Sequence, residues 1–399
     1  MSEEKNRCPV CKAPNTIPSV ERDDLIVMQN YVYRTYNDAI ISPTGKFELR
    51  ACPACGFAFN APFDPALINY DENYDNLVPS LVIEDYYEQL AVFLHDRFEL
   101  QNGLVVEVGC GKGAFLNIIC NMYPDIEAVG IDPSYLPSEK AAAPNVRFIA
   151  DIFNESHIPR KPSLIVCRHV LEHIADPVGF LESIRNAIKA FPETPFFVEV
   201  PDTQWIIENN AFWDFCYEHC NYFTSASLKK TLQLAGFQPE EIRKEFHDQY
   251  LWSMGMIKEK KPGYSSTDEV TDDLNAYSQR ENELMSTVKN KLVSLKKEGN
   301  ILAIWGMATK GVVFCNLIDP EKTLFDYCID INKNKFGCFV PHTGHQINSS
   351  EVLTKTTAGE KLTIVVMNPN YLSEIADTCA RLELAPAFIN ATGTELAVN

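Results

Sequence analysis

A continuous apolar run, Leu104-Val-Val-Glu-Val108, ends in glycines at alternate positions, Gly109-Cys-Gly111-Lys-Gly113, before a second apolar run, Ala114–Cys120. A buried strand that turns at once into a helix has few solutions, and glycines there let the backbone approach a ligand at the helix N-terminus. Alone, such a turn marks a nucleotide-binding fold without saying which one. Short apolar strands are also predicted at Ala128–Ile131, Ser163–Cys167 and Phe196–Val200, with room between them for crossover helices. That alternation continues to about Lys258 and predicts a mostly parallel, doubly wound α/β sheet.

The flanks differ from this centre. Residues 1–62 are rich in Pro and Cys with short β-like pieces, such as Leu25–Met28 and Lys46–Arg50, and a helical pattern starts near Val82. Between Ser265 and Gly299, Val270, Leu274, Tyr277, Leu284, Val288, Leu292 and Leu295 recur at helical spacing. Asp268, Glu269, Asp272 and Asp273 open that stretch and Lys289, Lys291, Lys296 and Lys297 close it, the polarity that suits a helix dipole. Strands are predicted again at Ile301–Trp305, Phe325–Ile329 and Leu362–Met367. The expected domains are 1–80, 81–262 and 263–399, the last led by the long helix.

Cys8-Pro-Val-Cys11 and Cys52-Pro-Ala-Cys55-Gly place two CxxC pairs 40 residues apart. Two such knuckles supply the four thiolates of a tetrahedral zinc site, closed and therefore structural. A redox CxxC needs no duplicate, which leaves it the lesser reading. The 13 cysteines, several within apolar segments, suit a reducing compartment better than a disulfide framework. The net charge of −19 argues against nucleic acid and anionic membrane surfaces as partners. No apolar stretch nears the roughly 20 residues of a membrane span, and Met1–Cys8 lacks a secretory core, so a cytoplasmic location is expected.

Spacing sharpens the glycine loop. Asp132 closes Val129-Gly-Ile-Asp132, 25 residues after Glu107, where a carboxylate can accept hydrogen bonds from both hydroxyls of a ribose. Asp151 closes Val146-Arg-Phe-Ile-Ala-Asp151, where a carboxylate can take an adenine amino group. With its acidic residue before the first glycine, the loop resembles that of class I S-adenosylmethionine-dependent methyltransferases. Arg168-His-Val-Leu-Glu-His173-Ile-Ala-Asp-Pro177 resembles the signature after their fourth strand. The resemblance implies a cofactor site at Glu107, Gly109, Cys110, Gly111, Gly113, Asp132, Pro133, Asp151, Ile152, Arg168 and His169. The competing reading is a generic dinucleotide fold.

Over nearly its whole length the chain is similar to a narrower family, the three-domain C-methyltransferases of nucleotide-linked ketosugars. The motifs are the zinc pairs, Tyr217-Glu-His219-Cys-Asn-Tyr-Phe-Thr224, Trp305-Gly-Met-Ala-Thr-Lys310-Gly311, and Asp330-Ile-Asn-Lys-Asn-Lys335-Phe-Gly337 followed by Pro341-His-Thr-Gly-His345. The resemblance implies a small-molecule nucleotide-sugar substrate, enolisation alpha to its ketone, and carbon methylation. It puts His219 as general base, with Glu218 orienting it or a substrate hydroxyl, His173 near the sugar nucleotide's phosphates or the reacting centre, and Tyr74 as the family's tyrosine from the region linking the first two domains. The family's Tyr three residues before that histidine is Cys216 here, and Tyr217 is the candidate replacement. Phe212-Trp-Asp-Phe215 is read either as a channel lining or as core, His169 as a shaper of the cofactor pocket, and His342 and His345 as loop structure. Two alternatives stand beside this reading: O- or N-methylation of a sugar or small metabolite, and a non-catalytic zinc-ribbon interaction protein.

Overall fold

The computed structural model describes residues 6–71, 73–137, 142–257, 270–356 and 360–398. Seven strands form the central sheet, in the order Phe237–Glu245, Tyr250–Ile257, Pro195–Pro201, Leu164–Arg168, Leu104–Val108, Glu127–Ile131 and Val146–Ile149. The last five named run parallel to one another, and Tyr250–Ile257 pairs antiparallel with Pro195–Pro201. All five residues of Leu104–Val108 are buried, as a central strand covered on both faces requires. Leu104, Val106 and Val108 face one apolar cluster and Val105 the other, which contains Leu90, Leu94, Phe115 and Leu116. Helix Leu81–Phe98 begins where Ser80 Oγ accepts the Val82 amide, and it lies against helix Ala114–Met122.

The N-terminal sheet runs Ile17–Ile26, Thr44–Ala51, Ala58–Asn60 and Asn221–Tyr222. Its fourth strand is therefore lent by the central part of the chain, through Ala58–Tyr222 and Phe59–Asn221 pairing. That loan fastens the segment carrying His219 to the N-terminal sheet. In the C-terminal region, Ile347–Asn348, Tyr327–Ile329, Asn300–Trp305, Lys361–Val366 and Ala387–Asn390 form a parallel sheet, with Glu395–Leu396 antiparallel at its edge.

The long helix spans Val270–Lys297; the predicted residues before it, Asp268 and Glu269 among them, lie outside the described residues. Leu274, Tyr277, Val288 and Leu292 from it share one core with Phe47 and Leu49 of the N-terminal sheet and Val312 and Phe314 of the C-terminal region. Phe212, Trp213 and Phe215 sit in that core, and Phe212 stacks on Phe314 at 5.7 Å. The channel reading of this aromatic run is thereby corrected: apolar rings with this burial are packing. Buried Arg22 ties the regions together, donating to Glu281 at 2.7 Å and to the Phe212 and Phe215 carbonyls. His345 forms a buried pair with Asp319 at 3.0 Å, and the His342 amide donates to the Ala39 carbonyl.

Candidate active site

The four knuckle sulfurs converge. Cys8 and Cys55 Sγ are 3.6 Å apart, Cys11 and Cys52 Sγ 3.5 Å, and all four lie within 4.8 Å of one another. Zinc–sulfur bonds of about 2.3 Å place the corners of a tetrahedron roughly 3.8 Å apart, so this donor set fits such an ion. Cys8, Cys52 and Cys55 share a core with Phe223, Leu228 and Leu232 of the central domain. The knuckle therefore braces that domain.

At the loop, Gly109 and Gly113 have φ of 79° and 78°. A Cβ at Gly109 would lie 2.1 Å from Val170 Cγ2, and one at Gly113 2.3 Å from Phe148 Cζ, so glycine is required by contact as well as by φ. Gly111 meets nothing within 4 Å and leaves space beside its backbone. Asp132 clamps the loop: its Oδ2 accepts from Gly111 N at 2.8 Å, and its Oδ1 accepts from the Ser134 amide and hydroxyl, both at 2.7 Å. Pro133 and Cys110 flank that contact, and Cys110 is half-buried. Asp151 and Ile152 stand exposed at the outer rim, with Asp151 Oδ2 3.3 Å from His157 Nε2.

Glu107 shares the face of Val105 and is buried, a placement that raises its pKa through desolvation and demands a counter-charge. Arg168 answers, with Nε donating to Glu107 Oε1 at 3.0 Å and its guanidinium over Tyr87 and Phe115. Glu107 Oε2 and Arg168 Nη1 are buried without hydrogen-bond partners. An amino acid's ammonium and carboxylate would satisfy such a pair, so the residues present fit the methionine end of S-adenosylmethionine. Arg168 also reaches toward Glu199, which accepts from the Tyr86 hydroxyl and from Trp252 Nε1. Tyr86, Trp252 and Glu199 carry no sequence motif, and pairing of the strands brings Trp252 opposite Glu199.

His169, at φ 52°, places Nε2 2.8 Å from Glu199 Oε1 and Nδ1 3.4 Å from Glu172 Oε1. Burial pulls its pKa down, but Glu199 and Glu172 outweigh burial and raise it to about 9. Glu199, despite burial, is held at about 2 by His169 and Arg168.

Past Glu172 the chain of charges reaches two more imidazoles. The rings of His173 and His219 meet edge to face at 4.8 Å, and nitrogens of both lie within 4.8 Å of a Glu172 carboxylate oxygen. His173 Nδ1 is 3.0 Å from the Glu218 carbonyl and 3.1 Å from the Tyr70 hydroxyl. A carbonyl only accepts, so His173 Nδ1 carries a proton and donates to it. Burial and the neighbouring His173 push His219 down to about 3, against the opposing pull of Glu172. His219 is thus a neutral imidazole at working pH.

Two expectations are corrected here. The Glu218 carboxylate faces away from His219 toward the N-terminal region, accepting from Gln29 N at 2.6 Å and from the Tyr74 hydroxyl at 3.0 Å. The chain bends at Tyr217 and Glu218, so neighbours in sequence are not neighbours in the site. Tyr217 is buried against Gly45 and Phe63, and its hydroxyl accepts from Asp64 N at 3.0 Å, so it does not replace a tyrosine at position 216. Tyr74 does join the group through Glu218. Tyr70, whose ring meets that of Tyr74 at 4.8 Å, joins it without having been singled out from the sequence.

Fold and loop together are those of a class I, S-adenosylmethionine-dependent methyltransferase domain. Residues 82–242 match the family described as a methyltransferase domain, and residues 258–386 match the C-methyltransferase C-terminal domain. The chain is 29% identical over 169 residues to C-methyltransferase NovU of Streptomyces niveus, covering 40% of this chain and 39% of that protein. It is 22% identical over 200 residues to malonyl-(acyl-carrier protein) O-methyltransferase 2 of Ilyobacter polytropus, covering 47% of this chain and 74% of that one. The chain thus spans about two fifths of the length of the first relative. Among solved structures, RosA of Streptomyces davawensis, an N,N-8-amino-8-demethyl-D-riboflavin dimethyltransferase, aligns at TM-score 0.36 and 19% identity over 44% of this chain and 55% of that one. No helix among the described residues is long and apolar enough to cross a membrane.

Proposed function

We propose that the protein methylates a carbon alpha to the ketone of a nucleotide-linked deoxysugar. The observation that carries this reading is the unengaged imidazole of His219, beside His173 and Tyr70 and linked through Glu172, His169 and Glu199 to the cofactor loop. The C-methyltransferase C-terminal match and the NovU relative support a carbon acceptor.

In this reading Glu107 and Arg168 hold the methionine end of S-adenosylmethionine, Asp132 its ribose and Asp151 its adenine. Bound there, the cofactor supplies an electrophilic methyl group on sulfonium sulfur. His219 takes the proton alpha to the ketone, and a hydroxyl donor such as Tyr70 stabilises charge on the enolate oxygen. The reading also assigns zinc to Cys8, Cys11, Cys52 and Cys55, as a brace outside the chemistry.

The test is solvent exchange. A nucleoside-diphosphate-linked keto-deoxysugar incubated in D₂O with the enzyme and no cofactor takes up deuterium at the carbon beside the ketone, and His219→Asn abolishes uptake while S-adenosylhomocysteine still binds. O- or N-methylation with no wash-in would replace this reading.

A further inference from the structure

We propose that Glu172, and not Glu218, is the carboxylate partner of His219, a positioning residue that fixes the tautomer of the imidazole and stabilises its protonated form during turnover. The inference rests on the reading of His219 as the base. Glu172 is 2% exposed, in the middle of the short 3-10 helix Leu171–His173 that follows the strand Leu164–Arg168. Its Oε1 faces His169 Nδ1, and its Oε2 is buried with no hydrogen-bond partner. A buried carboxylate oxygen left without a donor is costly, and a later-arriving proton donor recovers that cost.

The donor at hand is an imidazole. Ligand atoms of Glu172, His173 and His219 lie within 4.8 Å of one another, and among the described residues neither ring nitrogen of His219 has a hydrogen bond. His173 is less suited, because its Nδ1 proton is committed to the Glu218 carbonyl. Glu218 is turned away from His219, its oxygens accepting from Gln29 N and the Tyr74 hydroxyl, and it is Glu172 whose carboxylate lies with the two imidazoles.

The electrostatics agree with this geometry. Burial works against ionising Glu172, yet the hydrogen bond from His169 and the neighbouring His173 hold its carboxyl below the ordinary range. The charged groups acting on His219 are His173, His169 and Lys310, which oppose its protonation, and Glu172, which favours it. When the C–H bond beside the ketone breaks, its electron pair stays on the substrate as the enolate and the proton becomes the second N–H of His219. The enolate carbon then bonds to the methyl carbon as the methyl–sulfur bond breaks, and His219 returns the proton to solvent. Glu172 supplies the negative charge facing His219 while that extra proton is present.

The experiment compares Glu172→Gln and Glu172→Asp with wild type, using the same keto-deoxysugar in D₂O. The expected result is a loss of wash-in of at least about 100-fold in Glu172→Gln, the scale of a general base. Glu172→Asp recovers at least about tenfold of it, and affinity for S-adenosylhomocysteine stays within about threefold. The wild-type pH profile should show no limb near the ordinary imidazole range of about 6.5. Nitrogen-15 spectra of His219, which need no substrate, should show a changed tautomer ratio in Glu172→Gln. Wash-in within about threefold of wild type, or an unchanged His219 tautomer, overturns the proposal. So does wild-type wash-in that requires added Mg²⁺ or Mn²⁺ and stops with chelator, since a cation held by these three residues would occupy the lone pair of His219. Absence of wash-in in wild type with methyl transfer intact refutes the carbon-acceptor reading instead, and the tautomer measurement still decides the Glu172 pairing.

Discussion

Replacing Asp132 should separate the loop's architecture from its chemistry. Its carboxylate already accepts three hydrogen bonds, from Gly111 N and from the Ser134 amide and hydroxyl, at 2.7–2.8 Å. A carboxylate offers about four lone-pair sites, so a single one remains, on Oδ2, for a ribose hydroxyl. A hydrogen bond to a charged group contributes about 1.5–3 kcal/mol, so losing that ribose contact costs about tenfold to a hundredfold in affinity. Asp132→Asn should fare no better than Asp132→Ala. An amide oxygen can serve Ser134 or Gly111 but not both, and its NH₂ then opposes a backbone donor. The assay is calorimetric titration with S-adenosylhomocysteine, with circular dichroism to confirm folding. Asp151→Ala serves as the internal control: that residue is exposed at the rim, and a loss of about tenfold or less is expected. A folded Asp132→Ala variant that binds within about threefold of wild type would refute the assignment of this loop.

His169 predicts a pH signature in stability. Its folded pKa of about 9 lies above the ordinary value of 6.5, so its contribution is full below pH 6.5 and is lost as pH rises through 9. The shift sets a ceiling of about 3 kcal/mol; with the side chain 32% exposed, screening leaves about 1–2 kcal/mol. Urea midpoints between pH 6.5 and 9.5 should fall in wild type and stay flatter in His169→Gln, and parallel curves would contradict the pairing. The cysteine cluster predicts one zinc per chain by elemental analysis, lost in Cys52→Ser, with chelation lowering thermal stability and leaving Asp132-dependent cofactor binding measurable in the cold. Retention of a full equivalent of zinc in Cys52→Ser would exclude that site.

Much of the fold was legible because its signals are contiguous. Strand Leu104–Val108, its glycine turn and helix Ala114–Met122 are one unbroken stretch, and each CxxC pair is a single turn. Strand ends at Asp132 and Asp151 could be counted along the chain. The long helix showed its spacing over Val270–Lys297 for the same reason. Less legible was anything that depended on which way an irregular segment faces. Glu218 and His219 are adjacent in sequence yet serve different neighbours, and Tyr217 turns to Asp64. Phe212–Phe215 reads equally as channel or core until Phe314 is found stacked on it.

The sequence by itself determined the order of the regions, the cofactor loop with its two downstream carboxylates, and the cysteine set, because these follow from residue type and spacing. Tertiary structure alone decided that Asn221–Tyr222 completes the N-terminal sheet, that Trp252 and Tyr86 hold Glu199, and that Glu172 rather than Glu218 faces His219. The physical reason is burial. A charge taken out of water must find its partner across strands and loops remote in sequence, and no local periodicity says where that partner is.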